Sequence, residues 1–199
     1  MKALAFSDLP VAILCGGLGT RLGEETQFRP KSMVDINGKP FIHRQLDLLM
    51  AMGFTRFVLC IGHLGNHFFG RMGNYPVSYS LDGNIPLGTA GAVRNALPML
   101  GDEFWTLYGD SYLDADFAPV FEGHRKYDLM GCFTEWKHVN YGMNLFKREA
   151  FEMYSEETNL HSLIATMLHD ERAVAFDMGK PFLEIGSPEG LAEVRKLLT

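Results

Sequence analysis

The chain has 199 residues, of which 47% are hydrophobic and 21% charged, and its formal net charge is −6. This length suits one domain burying roughly 70% of its unfolded surface, so no disulfide or metal staple is needed for folding. The acidic balance argues against a nucleic-acid binder, which carries a basic stripe, but not against a nucleotide ligand, because a few local cations or a metal reverse the potential within one cleft.

The first residues hold one lysine and short apolar runs broken by Asp8 and Pro10, which is neither a signal peptide nor a membrane span; the cytoplasm is the default expectation. Residues 11–15 (VAILC) read as a buried strand running into a Gly-rich loop. Ile42, Leu46, Leu49 and Met50 set a helical spacing over about 40–52. Residues 56–62 (RFVLCIG) read as a buried strand and 77–81 as a shorter one. A helix is expected at 91–100, a strand at 104–108 ending on Gly109-Asp110, a helix at 117–127, and strands at 128–133 and 143–146. Leu160, Leu163, Ile164, Met167 and Leu168 follow helical spacing behind a cap at Thr158 or Asn159. Short strands at 173–176 and 182–185 precede a last helix, with Ser187 as cap, Pro188 in its first position, and Leu191, Val194 and Leu198 inward. Cys15, Cys60 and Cys132 are odd in number, lie in or beside apolar runs and show no CxxC spacing, so they read as reduced and buried. His124, His138 and His161 lack metal-ligand spacing.

Strands alternating with helices imply a mostly parallel sheet covered on both faces, with ligands outside the carboxyl ends of its strands. Three segments place unusual chemistry at such ends: after Cys15, after Tyr108 and around Glu184. In the first, Leu14-Cys15-Gly16-Gly17-Leu18-Gly19-Thr20-Arg21-Leu22, the glycines let the backbone approach a ligand and aim successive N–H groups at it. Thr20 adds a hydroxyl and Arg21 a bidentate cation, parts that suit a triphosphate. Arg29-Pro30-Lys31 supplies a further fixed cation. The loop is neither a GxGxxG fingerprint, since Leu22 stands where the third glycine belongs, nor a GxxxxGK[ST] loop.

The stretch LCGGLGTRLGEETQFRPKSMVDINGKPFI resembles the signature of the sugar-phosphate nucleotidylyltransferase family. That family includes glucose-1-phosphate cytidylyl- and thymidylyltransferases and mannose- and heptose-1-phosphate guanylyltransferases. The wording GEETQFRPKSMVDINGKP most resembles the cytidylyltransferase branch and its unassigned relatives, and the resemblance runs from about residue 11 to 198. It implies a single-domain α/β fold over 1–199, Rossmann-like (GT-A-like), with a mostly parallel mixed sheet and helices on both faces. The nucleotide-binding part spans about 11–115 and the acceptor-binding part about 116–199. In the family this loop holds the triphosphate, here Leu14, Gly16, Gly17, Gly19, Thr20 and Arg21, while Arg21 and Lys31 neutralise the phosphates. Pro86-Leu87-Gly88-Thr89-Ala90-Gly91-Ala92 resembles the LGTAGA motif of the base and ribose pocket, which implicates Gly88, Thr89 and Gly91, with Ser80 on the strand that usually reads the base edge.

Asp110 matches the Mg²⁺ ligand of the family, making Arg21, Lys31 and Asp110 the catalytic set. Phe182-Leu183-Glu184-Ile185-Gly186-Ser187-Pro188-Glu189 matches the DIGTPE motif with Glu184 in place of Asp, which moves the second ligand oxygen by roughly one C–C bond. On the acceptor side the resemblance implicates Tyr108, Tyr141, Gly142 and Asn144, with Glu135 and Lys137 standing for an acidic–basic pair or forming a solvated turn. This region is short for the family, through a trimmed acceptor side or missing loops. The implied reaction joins a nucleoside triphosphate to a hexose or heptose 1-phosphate with Mg²⁺ as cofactor and no nucleic-acid or membrane partner. A non-sugar phosphorylated or phosphonate acceptor, or a non-catalytic nucleotide-binding module, are the alternatives. Base, sugar and any homo-oligomer stay open.

Overall fold

The computed structural model describes residues 5–83 and 85–198. In chain order its strands and helices are β1 (Val11–Leu14), β2 (Asp35–Ile36), β3 (Lys39–Pro40), α1 (Phe41–Ala51), β4 (Phe57–Ile61), β5 (Val77–Leu81), α2 (Gly88–Leu100) and β6 (Glu103–Tyr108). There follow β7 (Ser111–Tyr112), α3 (Ala118–Tyr127), β8 (Gly131–Trp136), β9 (Val139–Lys147), α4 (Arg148–Met153), α5 (Leu160–His169), β10 (Ala173–Asp177), β11 (Leu183–Glu184) and α6 (Pro188–Leu197).

Seven strands form one sheet in the order β10-β8-β9-β6-β1-β4-β5. β9 runs antiparallel to both neighbours, and the other pairings are parallel. The two-residue period of a strand divides the core between two faces. Val11 and Ile13 of β1, with Phe57, Leu59 and Ile61 of β4, join one apolar cluster that takes in Ile42, Leu46 and Leu49 of α1. The intervening Ala12, Val58 and Cys60 join the opposite cluster, built on Ala92, Val93 and Ala96 of α2. Burial on both faces explains why β1 and β4 read as unbroken apolar runs.

The local signals mark most elements to within a residue or two, and the departures have physical causes. Met50 is 43% exposed, because Phe41, Gln45 and Leu49 complete the buried stripe of α1 at four-residue intervals and leave Met50 beyond its edge. Leu168 is likewise exposed, on the outer side of α5. α2 begins at Gly88 rather than 91, since the Thr158 carbonyl accepts from Ala90 N at 3.0 Å and satisfies an amide the first turn leaves open. Asp128 adopts the left-handed conformation (φ 48°) that ends α3, so β8 starts only at Gly131. Lys137 and His138 also have positive φ (49° and 64°) and form a tight two-residue turn joining β8 to β9. Asn159 caps α5 by accepting from His161 N at 2.7 Å, and Ser187 caps α6 by accepting from Gly190 N at 3.1 Å. All three cysteines are free and buried. No described helix is long and apolar enough to cross a membrane.

Candidate active site

β1 lies between β4 and β6, so the chain leaves the centre of the sheet at the carboxyl ends of these strands, where α/β sheets place ligands. A cleft of about 650 Å³ opens there. It is walled by the loop after β1, the segment leading into α2, and Tyr108, Gly109 and Asp110 at the end of β6.

Two of the loop glycines, Gly16 and Gly19, answer to close packing. A Cβ on Gly16 would sit 2.8 Å from Asp82 Oδ2 and 3.3 Å from Gly62 N. Gly19 has φ +67°, and a Cβ there would meet Thr26 Cγ2 at 3.0 Å. Thr26 holds this bend by donating its hydroxyl to Gly19 O at 2.9 Å. The 3-10 segment that follows, Thr20–Thr26, is tied to α6 through Arg195, whose guanidinium meets Glu25 Oε1 at 2.7 Å and Asp35 O at 3.1 Å. Thr20 and Arg21 stand exposed on this segment, at the end of the loop and outside the residues that wall the cleft.

Asp110 is the focus of the opposite wall. Gly109 N donates to Leu14 O at 3.0 Å, and a Cβ on Gly109 would lie 2.6 Å from that oxygen, so β6 ends hard against β1. Asp110 Oδ2 accepts from Lys31 Nζ at 2.8 Å, an ion pair that is 24% and 17% exposed and joins positions 79 residues apart. Buried Gln45 braces the turn from behind. Its Nε2 donates to Tyr108 O at 2.9 Å and to Ser111 O at 2.6 Å, one carbonyl on either side of Asp110. Burial, and secondarily the Asp110 charge, push the Tyr108 hydroxyl up to about 12. Burial pushes the Cys15 thiol up to about 12 against the opposing Ser32 hydrogen bond, so it is no nucleophile near neutrality.

Glu184 reaches this region through the backbone. β11 pairs antiparallel with β7, setting Glu184 opposite Ser111, and Ile185 N donates to Asp110 O at 2.9 Å. Its exposed carboxylate lies beside Gly186, with Oε1 3.1 Å from where a Cβ there would fall, and Glu184 is not part of the cleft wall. Among the described residues no three His, Cys, Asp or Glu side chains gather into a metal cage.

Of the residues expected to meet the nucleotide, Gly88 and Thr89 wall the cleft, and Thr89 Oγ1 also accepts from Leu160 N at 2.8 Å. Gly91 lies outside that wall, its amide directed to Thr158 O at 3.4 Å. Ser80 is buried and accepts from Asn95 Nδ2 at 3.0 Å, also outside the wall. Of the residues expected to meet the acceptor, Tyr108 lines the cleft. Gly142 lies behind it with φ +87°, where a Cβ would sit 2.3 Å from Tyr108 Cδ2; the glycine makes room for the ring. Tyr141 is buried against Phe182, ring centroids 4.8 Å apart. Asn144 is buried, and its Oδ1 accepts from Asn140 Nδ2 at 2.8 Å. Glu135 lies 3.6 Å from His138 Nδ1 on the β8–β9 hairpin, whose turn carries exposed Lys137.

The structure therefore gathers Leu14, Gly16, Gly17, Gly19, Lys31, Gly88, Thr89, Tyr108 and Asp110 at one cleft. Thr20, Arg21, Ser80, Gly91, Glu135, Lys137, Tyr141, Gly142, Asn144 and Glu184 fall outside its wall. Asp82, His63 and Ser32 line the cleft without having stood out in the sequence. The position of Asp82, one residue past an apolar strand and before Gly83, is the signal that marks it: it occupies a carboxyl end of the sheet just as Asp110 does.

Fold and cleft define a nucleotidyltransferase architecture, and the chain belongs to the family of the MobA-like NTP transferase domain, whose model matches residues 11–170. It is 34% identical over 136 residues to the D-glycero-alpha-D-manno-heptose 1-phosphate guanylyltransferase of Campylobacter jejuni, covering 64% of this chain and 61% of that one. It is 32% identical over 133 residues to the mannose-1-phosphate guanyltransferase of Aspergillus oryzae, covering 63% and 36%. A third relative, the N-acetylmuramate alpha-1-phosphate uridylyltransferase of Neisseria meningitidis, is 34% identical over 116 residues, covering 55% and 50%. The matched stretch is thus less than two thirds of the length of each of these relatives. The fold is shared with HddC from Yersinia pseudotuberculosis, solved in complex with GMP-PN, at a TM-score of 0.78 and 24% identity, over 96% of this chain and all of that one.

Proposed function

We propose that this chain transfers a nucleotidyl group from a nucleoside triphosphate to a sugar 1-phosphate, releasing pyrophosphate and forming an NDP-sugar. The observation that carries the reading is the Lys31–Asp110 pair facing the Gly-rich loop across one cleft: amides and a cation for polyphosphate, and a hard carboxylate beside them. The names of the relatives support it, since each joins a nucleotide to a sugar 1-phosphate. They divide between guanylyl and uridylyl transfer and leave the base open.

The acceptor phosphate oxygen attacks the α-phosphorus in line, and pyrophosphate leaves. That oxygen is already anionic, so positioning and charge neutralisation supply the catalysis rather than a strong base. Amides of Gly16, Gly17 and Gly19 hold the triphosphate, Lys31 neutralises charge moving onto the leaving group, and Arg21 does so from the loop's rim. Gln45 fixes the turn that presents Asp110. Asp110 and Glu184, on neighbouring backbone, are the carboxylates that would hold Mg²⁺, which takes one or two such ligands and fills its shell from phosphate and water. Bound there, Mg²⁺ would neutralise phosphate oxygens of both substrates. Residues 1–199 act as one unit in this reading, with the acceptor taken by the part from about 116 onward.

Pyrophosphate release measured across a panel of triphosphates, sugar 1-phosphates and non-sugar phosphates tests the reading. Turnover is expected with at least one sugar 1-phosphate, and Asp110→Ala should lower it by about 10²–10³-fold, the size of one lost transition-state contact. No release with any sugar 1-phosphate would reject it, as would an Asp110→Ala variant with full turnover.

A further inference from the structure

Asn140 and Asn144 stand four positions apart on β9, which in a regular strand sets them roughly 13 Å apart along one face. Their side-chain amides nevertheless meet. Asn140 Nδ2 donates to Asn144 Oδ1 at 2.8 Å, and Asn144 Nδ2 donates back to Asn140 Oδ1 at 3.3 Å. The strand closes the gap by bulging. β8 and β9 pair Phe133 with Asn144 and Glu135 with Asn140, so Thr134 by itself stands opposite Tyr141, Gly142 and Met143. On the other side of β9, the pairing with β6 ends at Thr106 and Asn144.

A bulge leaves buried backbone groups without ladder partners, and each is costly unless a side chain takes the partner's place. Asn140 Oδ1 accepts from Gly142 N at 2.8 Å, and its Nδ2 also donates to Thr134 O at 3.1 Å. Thr134 Oγ1 donates to Met143 O at 2.6 Å, and Thr106 Oγ1 to Gly142 O at 3.4 Å. Thr106, Thr134 and Asn144 are fully buried. A regular ladder would satisfy the same backbone groups without these side chains, so the network serves the bulge and not the closure of the hairpin. The product of the bulge is Gly142 at φ +87°, where a Cβ would fall 2.3 Å from Tyr108 Cδ2 and 2.7 Å from Tyr108 Cγ. The slot seats the base of the Tyr108 ring, and Tyr108 lines the cleft beside Gly109 and Asp110.

We propose that Asn140 is a positioning residue: by holding Gly142 N, Thr134 O and Asn144 Oδ1 together it sets the Tyr108 ring in the cleft wall, and through that ring the fit of the acceptor. The second half rests on the proposed transfer reaction, with Tyr108 meeting the sugar 1-phosphate. Asn140 is not part of the cleft wall, so its influence passes through Tyr108. Bulges beside active sites re-aim a side chain in this way. Asn144, which packs in the core, acts one step further back by gripping the Asn140 amide.

Two measurements test this, one of them without any ligand. In NMR spectra of protein carrying isotope-labelled tyrosine, the Tyr108 ring signal is assigned by its loss in Tyr108→Phe. Asn140→Ala should move that signal and leave those of Tyr75 and Tyr79, at the β5 edge of the sheet, in place. Pyrophosphate release, with the triphosphate and sugar 1-phosphate that turn over fastest in the panel, supplies the second. Asn140→Ala should raise the KM for the sugar 1-phosphate by about 10–10²-fold, the scale of a misplaced contact, and change the triphosphate KM by less than about twofold. In a double-mutant cycle it should add less than about twofold to the KM effect of Tyr108→Ala, because a residue acting through Tyr108 then has nothing left to position. Asn140→Ser keeps a hydroxyl acceptor for Gly142 N and should fall between wild type and Asn140→Ala; it carries the same comparison should the alanine variant fail to fold. A Tyr108 signal unmoved by either substitution, an unchanged acceptor KM, or effects that multiply in the cycle would overturn the assignment. A moved Tyr108 signal in a protein that releases no pyrophosphate with any sugar 1-phosphate would uphold Asn140 as the residue that seats Tyr108 and reject the proposed transfer reaction instead.

Discussion

Replacing Gln45 with leucine removes the side chain that braces both sides of Asp110. The substitution keeps approximate volume but leaves two carbonyls, Tyr108 O and Ser111 O, without the donors they meet at 2.9 and 2.6 Å. Each stranded buried acceptor costs about 1–3 kcal/mol. Part of this is offset, because Gln45 Oε1 is itself buried without a donor and would be removed. A net loss of about 2–4 kcal/mol is expected, equivalent to a fall in Tm of about 4–16 °C for a chain of this size. The turn carrying Asp110 also loses its brace, and a displacement of about 1 Å in a reacting group lowers the rate by about 10²-fold. Chemical denaturation reads the first effect, and pyrophosphate release per folded molecule reads the second. Leu46→Ala supplies the control: Leu46 is fully buried on the same helix, so its truncation destabilises by about 2–5 kcal/mol without touching the Asp110 turn. If Gln45→Leu and Leu46→Ala lowered the rate per folded molecule equally, or if Gln45→Leu shifted stability by less than about 1 kcal/mol, the bracing role would be refuted.

Gly142→Ala adds a methyl 2.3 Å from the Tyr108 ring at φ +87°, so a loss of about 2–5 kcal/mol by urea titration is expected, together with weakened acceptor binding as Tyr108 shifts. Ser187→Ala removes the cap of α6 and should cost about 1 kcal/mol in the same titration. Burial holds the His124 imidazole below its ordinary 6.5 against the opposing pull of Glu103. The unfolded chain therefore takes up this proton first, and the stability contributed by neutral His124 is present above pH 6.5 and lost as pH falls below it. Urea midpoints should drop between pH 7.5 and lower values by less in His124→Gln than in the wild type; His43, also lowered by burial, keeps a residual slope of the same sign. An unchanged slope in His124→Gln would show that His124 does not titrate with folding.

Much of the fold was legible because it is locally encoded. Apolar runs at β1 and β4 and helical spacing in α1, α5 and α6 each declare which faces are buried, and caps at Asn159 and Ser187 declare where helices start. The β8–β9 hairpin was harder to read. Its turn uses Lys137 and His138 in left-handed conformations where glycine or asparagine is the usual signal, so nothing in the sequence announced it. Met50 and Leu168 matched the spacing of their helices yet stand exposed, since the position of the neighbouring layer sets the edge of a buried stripe.

The sequence by itself determined the order of the longer strands and helices, though not β2, β3, β7 or α4, along with the Gly-rich loop after β1, the family, and the placing of Asp110 at a strand end. Each of these depends on residues within a few positions of one another. Only the tertiary structure decided which distant residues share the cleft. Setting β1 between β4 and β6 brings Lys31 to Asp110, Gln45 behind it, and Asp82 over Gly16, while the β7–β11 ladder brings Glu184 beside Ser111. It also turned Tyr141 and Asn144 into the core, where they pack and pair with Phe182 and Asn140. Periodicity states which face of an element is apolar; the neighbour that covers it follows from strand order, which chain separations of tens of residues leave free until the sheet closes.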